Sequence, residues 1–212
     1  MRIVKGNKTV EINEPELNKI IENFPTVVID LGTGDGRFVY KNALKKHEIF
    51  FIGIDPSEKQ LQIYSKKAVR KKLINVLFVV SSVEQLPPEL RGKADKVYII
   101  LPWGTLLQKL VKPDKLALSD VAAILKKGGT LETVLGYSPN LEPSESKRLD
   151  LPEINISYLR NETIPAYRGS GLTLMSLNPT EPAYLRKLES TWGKKIGLTQ
   201  ERPLFIMQFT RE

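Results

Sequence analysis

The chain contains no cysteine among its 212 residues. Disulfides, thiolate nucleophiles and zinc–thiolate sites are excluded together. It has one histidine, His47, in the solvated stretch Lys45-Lys46-His47-Glu48. A single imidazole cannot build a histidine metal site, so no metal is expected. Long apolar runs are also missing: none approaches the roughly 20 residues that span a bilayer. Met1 to Gly6 lacks the apolar core of a secretory signal. A cytoplasmic chain without membrane attachment is expected.

What remains is ordinary in bulk and skewed in charge. Hydrophobic residues make up 41% and charged residues 26%, enough apolar material for one domain with a full core. Residues 1–212 are read as that single domain. The formal net charge is +8. An excess of this size suits a phosphate-rich partner, although solubility alone also accounts for basic proteins.

Residues 1–13 alternate in polarity around Gly6-Asn7, which predicts a hairpin with a tight turn. Glu14-Pro15 opens a short helix. Val27 to Leu31, Ile49 to Ile54, Val76 to Val80, Asp95 to Leu101 and Leu131 to Leu135 are short apolar runs of the kind buried on both faces of a sheet. Helices are expected up to Lys46, over 57–72, and over 115–126 with a stop at Gly128-Gly129. Strands alternating with helices predict a doubly wound, mostly parallel sheet. Residues 138–150 read as a loop and 155–168 as a helix weakened by Pro165. Gly171 to Leu177 and Leu204 to Thr210 read as two more strands, with a helix from Pro182 to Lys195 between them. The expected architecture is α/β: a seven-stranded sheet preceded by a hairpin, with residues 27–136 as its cofactor-binding core.

The first core strand runs into Asp30-Leu31-Gly32-Thr33-Gly34-Asp35-Gly36. Alternate glycines let backbone turn sharply and approach a ligand, and ligands in such sheets sit outside the carboxyl ends of the strands. A dinucleotide site wants Gly-x-Gly-x-x-Gly, with a pyrophosphate on the following helix. Here the spacing is Gly-x-Gly-x-Gly, and Asp30 would repel a pyrophosphate. The acid suits a ligand with an ammonium group, such as the methionine end of S-adenosylmethionine. Asp30, Gly32 and Gly34 are therefore candidate cofactor residues. Asp55 ends the second core strand, where a carboxylate accepts from both ribose hydroxyls; NAD folds use the same device. Glu84, just after the third strand, is placed to face an adenine edge. Turn formation and helix capping are the competing roles for Asp30 and Asp55.

Two further segments are Ile100-Leu101-Pro102-Trp103-Gly104-Thr105 and Leu188-Glu189-Ser190-Thr191-Trp192-Gly193-Lys194-Lys195. Together with the acid–glycine loop, Gly53-Ile54-Asp55-Pro56 and Val4-Lys5-Gly6, they resemble the 16S rRNA adenine-N1 methyltransferases of the Kam and Npm aminoglycoside-resistance type. The resemblance runs in order along nearly the whole chain. It implies a class I, Rossmann-like methyltransferase fold, S-adenosylmethionine as methyl donor, and 16S rRNA within the 30S subunit as partner. It also implies that the decoding-site adenine is flipped and stacked between Trp103 and Trp192. Ser190 matches a position near the late tryptophan and is grouped with Trp103 and Trp192 as catalytic; Thr105 matches one near the methionine end of the cofactor, and Pro56 follows its ribose acid. Lys66, Lys67, Arg70 and Lys71 match a cluster that grips rRNA phosphates; Arg148, Lys194, Lys195 and Arg202 are further RNA-facing candidates, within or beside the segments 138–160 and 178–203. Lys195 stands where the family pattern has an arginine, and residues 138–178 match no family motif. On the residues alone, Trp103 also fits a core position after a strand, Trp192 a packing position beside Leu185 and Leu188, and the lysine run a solvated face. A tRNA guanine-N7 methyltransferase and a non-catalytic ribosome-binding protein are the competing functions. A monomer would suit docking on a ribosome.

Overall fold

The structure is a computed structural model; it describes residues 1–191, 193 and 202–212. Nine strands form one sheet: β1 (Arg2–Lys5), β2 (Lys8–Glu11), β3 (Thr26–Leu31), β4 (Ile49–Asp55), β5 (Val76–Val80), β6 (Ala94–Ile100), β7 (Leu125–Leu135), β8 (Leu172–Thr180) and β9 (Leu204–Arg211). Their order is β2-β1-β5-β4-β3-β6-β7-β9-β8. The five central strands run parallel, and β9 and β8 are antiparallel additions. The seven expected strands and the hairpin are thus a single sheet, because β1 pairs antiparallel with β5 and extends its edge.

Two cores sandwich this sheet. One face carries α2 (Arg37–Ala43) and α3 (Glu58–Arg70), which bury Phe38, Val39, Leu61 and Ala68 against Val28, Phe51 and Phe78. The other carries α1 (Glu14–Ile21), α4 (Gly104–Val111), α5 (Lys115–Ile124) and α8 (Ile164–Arg168) over Ile29, Ile52, Val97 and Leu131. Strands buried on both sides explain the continuous apolar runs of β3 and β4. Asn13 starts α1 with a capping box, accepting from the Glu16 amide at 3.0 Å while Glu16 accepts from its own at 2.8 Å.

One buried side chain fixes the loop between α2 and β4. The Asn75 amide nitrogen donates to the carbonyls of Ala43, Lys46 and Ile49, each at 3.1 Å. Alanine there leaves three inward carbonyls without that partner. Asn75→Ala is expected to cost about 2 kcal/mol, since stranding buried acceptors costs more than a net hydrogen bond. Urea denaturation would measure it, and a loss within about 0.5 kcal/mol would mean that water replaces the amide.

Four segments differ from expectation. Residues 138–150 are not all loop: Pro143–Leu149 form helix α6, with Asp150 in the left-handed region at its end. Pro at the first turn needs no donor, which makes a segment rich in Ser and Pro look looped. Residues 155–168 are helical throughout, as α7 (Ile156–Tyr158), a π turn (Leu159–Thr163) and α8, with the Ile164 amide reaching Leu159. The wide turn lies just before Pro165 and makes room for a ring that would strike the carbonyl four residues back. Gly128-Gly129 is not a helix stop. It lies inside β7, which starts at Leu125 and shifts register opposite Ala94 and Lys96. The expected helix from Pro182 to Lys195 is interrupted: α9 covers Pro182–Lys187, Leu188 is extended, Thr191 and Gly193 are helical again, and Trp192, Lys194 and Lys195 lie outside the described residues. Among the described residues, no helix is long and apolar enough to cross a membrane.

Candidate functional site

β3 lies between β4 and β6: the chain builds outward from it on one side through β4 and β5, then on the other through β6 and β7, so the connections part at the carboxyl ends of these parallel strands. A cavity of about 460 Å³ opens there. The acid–glycine loop makes its floor. Gly32, Gly34 and Gly36 all take positive φ, at 80°, 60° and 81°, a region that side chains with a Cβ avoid. At Gly32 a Cβ would lie 2.6 Å from Leu106, itself a wall residue.

Asp30 is 2% exposed, and its Oδ1 has no hydrogen-bond partner among the described residues. Burial, helped by the Asp55 and Asp35 carboxylates and opposed by the Thr33 hydroxyl, pushes its pKa up to about 7. A buried carboxylate with one oxygen left unpartnered beside a cavity is a costly feature for a fold alone. It fits a ligand that brings a cation.

Asp55 is more committed. Its Oδ2 accepts from the Gly34 amide at 2.9 Å and its Oδ1 from the Ser57 amide at 2.8 Å. Turn formation is therefore part of its role. Each carboxylate oxygen has a second lone pair, so acceptor capacity remains toward the cavity. Burial raises its pKa, against those two amides. Glu84 lies in a short 3-10 turn, Val83–Gln85. Its burial penalty is outweighed by the Ser82 and Thr105 hydroxyls and Lys109, which hold its carboxyl below the usual range.

Trp103 precedes α4 in extended conformation, between Leu101 at φ 50° and Gly104 at φ 61°. Two left-handed residues so close together turn the chain out of β6. The indole is 49% exposed, which excludes the core role that its place after a strand allowed. It lines the large cavity and also a second one of about 220 Å³, walled by Leu101, Pro102, Gly136, Tyr137, Glu142 and Arg202. Ser190 lines the large cavity, and its hydroxyl accepts from the Gly193 amide at 3.0 Å.

The cavity thus gathers Asp30, Gly32, Gly34, Asp55, Pro56, Glu84, Thr105, Trp103 and Ser190. The RNA-facing candidates lie elsewhere. Lys66 and Lys67 are on α3, one turn beyond Ile63, which lines the cavity; Arg70 and Lys71 are at its end. Lys67 sits 4.0 Å over the Tyr64 ring. Arg148 is exposed but pairs with Glu145 at 2.7 Å. Arg202 is turned inward: its side chain is 7% exposed and reaches Glu142 and the Gly136 carbonyl, each at 2.7 Å. Trp192, Lys194 and Lys195 lie outside the described residues.

Residue-type reasoning missed Thr191 and Glu189. The Thr191 hydroxyl donates to Asp35 Oδ2 at 2.8 Å, and Glu189 takes Lys45 at 2.8 Å and Arg37 at 4.0 Å. These contacts clasp the segment after α9 to the glycine loop and α2, across 156 residues of sequence in the case of Thr191 and Asp35. Only the charge of Glu189 beside a candidate Ser190 could have hinted at it. Thr191→Val is expected to weaken cofactor binding about three- to tenfold, the range of one net hydrogen bond. Calorimetry with S-adenosylmethionine would read this; an unchanged Kd would make the clasp incidental.

A sheet of this order, with an acid–glycine loop on its central strand and an acid ending the next, defines a class I methyltransferase. The family model for 16S rRNA (adenine(1408)-N(1))-methyltransferase, NpmA, matches residues 2–210, and the chain belongs to that family. It is 40% identical to a 16S rRNA (adenine(1408)-N(1))-methyltransferase of Escherichia coli over 210 residues, 97% of this chain and 96% of that protein. It is similar to the 30S ribosomal A1408 methyltransferase of an uncultured bacterium, with 40% identity, a TM-score of 0.80 and full coverage of both chains at 100%. The corresponding enzyme of Catenulisporales acidiphilia, a tryptophan mutant solved with cosubstrate SAM, is 25% identical with a TM-score of 0.88, covering 100% of this chain and 96% of that one.

Proposed function

We propose that this chain transfers the methyl group of S-adenosylmethionine to N1 of adenine 1408 of 16S rRNA in the 30S subunit, the activity named for its relatives, and that this confers aminoglycoside resistance, as named for a similar structure. The observation that carries it is the shared cavity. Asp30, Asp55, Glu84 and Thr105 line the same cavity as the half-exposed Trp103. S-adenosylmethionine supplies a methyl activated on a sulfonium. Asp30 meets the methionine ammonium, Asp55 and Pro56 the ribose, Glu84 the adenine edge and Thr105 the methionine end, while Ser190 serves the target base beside the late tryptophan.

The acceptor needs little from side chains. Neutral adenine N1 already presents an in-plane lone pair, so no base has to remove a proton first. Alignment then does most of the work, worth about 7–11 kcal/mol where it is good. Trp103 provides one face for the flipped base, and Trp192 is assigned the other by resemblance. Lys66, Lys67, Arg70 and Lys71 hold backbone phosphates, with Arg148 and Lys195 as further contacts. Arg202 acts from its pairing with Glu142 at the second cavity. Residues 1–212 work as one domain, with 27–136 holding the donor and the segments 138–160 and 178–203 facing RNA. We assign it to the cytoplasm as a monomer, because its substrate is a ribosomal subunit there.

N1 methylation blocks Watson–Crick pairing. Reverse transcription on 30S subunits treated with the protein and S-adenosylmethionine should therefore stop at adenine 1408. Read-through at that position by a preparation that binds the donor would sink the substrate assignment. Free tRNA as the better acceptor would favour the guanine-N7 alternative, and a folded protein that binds no donor would favour a non-catalytic ribosome binder.

A further inference from the structure

The hairpin at the start of the chain has a charge pattern that its fold does not call for. At its open end Arg2 is opposite Glu11, a favourable cross-strand pair. At its tip Lys5 is directly opposite Lys8. Like charges at facing positions destabilise a hairpin. Both lysines are exposed, and neither reaches a carboxylate in the described structure. The tip is held from behind.

The hold comes from α3. Arg2 pairs with Glu58, in the first turn of that helix, at 2.9 Å. Further along, the buried Ser65 hydroxyl donates to the Val4 carbonyl at 2.9 Å and accepts from the Gly6 amide at 2.8 Å. Gly6 also lies beside Val69. The strand therefore runs alongside α3, from its first turn toward its last. The tip ends where Lys66, Arg70, Lys71 and Lys72 are exposed. None of these four has an ion pair among the described residues. Elsewhere many cations are neutralised, as in Lys93–Glu14, Lys109–Asp114 and Lys126–Asp95.

Strand alternation puts Lys5 on the side of Ile3, away from α3, whereas Val4 faces the helix. The uncompensated charge consequently lies on both sides of the sheet at its hairpin end, where β2 is the edge strand, instead of flat on one face. Such a ridge matches a curved phosphate backbone better than a compact anion.

We propose that the hairpin tip, Lys5 to Lys8, is a second phosphate-binding element, and that with the α3 end it forms one docking surface for the backbone of structured RNA. The proposal rests on the rRNA assignment above and extends its contact surface to a part of the chain distant in sequence. Binding relieves the Lys5–Lys8 repulsion, so the tip is poised for an anion. The competing role for an exposed lysine on an edge strand is to prevent strand-to-strand aggregation.

The test compares wild type, Lys5→Gln/Lys8→Gln, and a control, Lys115→Gln/Lys127→Gln, whose lysines are exposed elsewhere. Affinity for 30S subunits is measured across a salt series, with primer extension on the same samples. The hairpin variant is expected to bind 30S subunits about tenfold more weakly at low salt and to show a log–log salt slope shallower by about 2, one for each phosphate that is no longer neutralised. Its rate at saturating 30S and its S-adenosylmethionine affinity should be unchanged, and the control should match wild type. A variant with wild-type affinity and slope overturns the proposal. So does one whose only change is self-association, which would make the lysines edge guards. A wild-type protein that leaves no stop at adenine 1408 sinks the rRNA assignment and this surface with it; a wild-type stop with an unaltered variant slope sinks the hairpin alone.

Discussion

Trp103→Ala is expected to reduce methylation of 30S subunits by about a hundredfold while leaving S-adenosylmethionine affinity within about threefold of wild type. The indole is half-exposed at the rim, between a cavity of about 460 Å³ and one of about 220 Å³. A tryptophan kept that far out of the core contributes little burial energy. Its backbone is shaped to hold it there: Leu101 accepts a left-handed φ of 50° without glycine's freedom, a conformation that costs of order 1 kcal/mol. A base taken out of an RNA stack needs a replacement surface, and an aromatic face supplies about 1–3 kcal/mol. Losing the upper part of that range is about a hundredfold in rate. Donor binding, proposed to rest on Asp30, Asp55 and Glu84, should survive, which calorimetry would check. Trp103→Phe keeps a ring and should recover most of the activity. A fully active alanine variant would show that Trp103 does not stack the target base.

The same residue shows what local sequence carried and what it did not. Five core strands were legible because strands buried on both faces leave continuous apolar runs, as in Val27 to Leu31 and Ile49 to Ile54. The donor loop was legible because its backbone demands glycine at fixed positions, and the demand is local. Whether Trp103 faced core or solvent was not legible, since it depends on two left-handed residues flanking it. The inward turn of Arg202 depends on Glu142, 60 residues away, and the Thr191–Asp35 clasp on a still longer return of the chain. Neither leaves a local signal. The π turn before Pro165 is a different kind of miss: the proline was visible, but the fold absorbs it by widening one turn instead of ending the helix. Acceptor and base came from resemblance, and the family match over residues 2–210 agrees with it.

Asp30→Asn is expected to weaken S-adenosylmethionine binding by about a hundredfold above pH 7, and by less as pH falls. A charge-assisted hydrogen bond to a buried partner contributes about 1.5–3 kcal/mol, which sets the size. The pH dependence follows from the raised pKa, about 7 against an ordinary 3.8. The donor's ammonium favours the ionised carboxylate, so binding below pH 7 must first remove a proton. Wild-type affinity should rise about tenfold per unit as pH increases toward 7 and level off above it. The asparagine variant should bind weakly with no such slope. Stability runs the other way. An acid whose pKa is raised by folding retains its proton longer in the native state than in the unfolded one. The donor-free protein therefore loses stability as pH climbs from about 4 through 7, as the buried carboxylate ionises without a partner. Asp30→Asn removes that charge, so the donor-free variant should melt at a higher temperature than wild type at pH 8, and a given concentration of S-adenosylmethionine should raise its Tm less than that of wild type. Melting curves with and without donor at pH 6, 7 and 8 read both effects. A wild-type Kd that is flat across this range, with an asparagine variant no more stable, would mean that Asp30 is not the cation's partner, and the acid–glycine loop would then be holding its shape for a ligand of another kind.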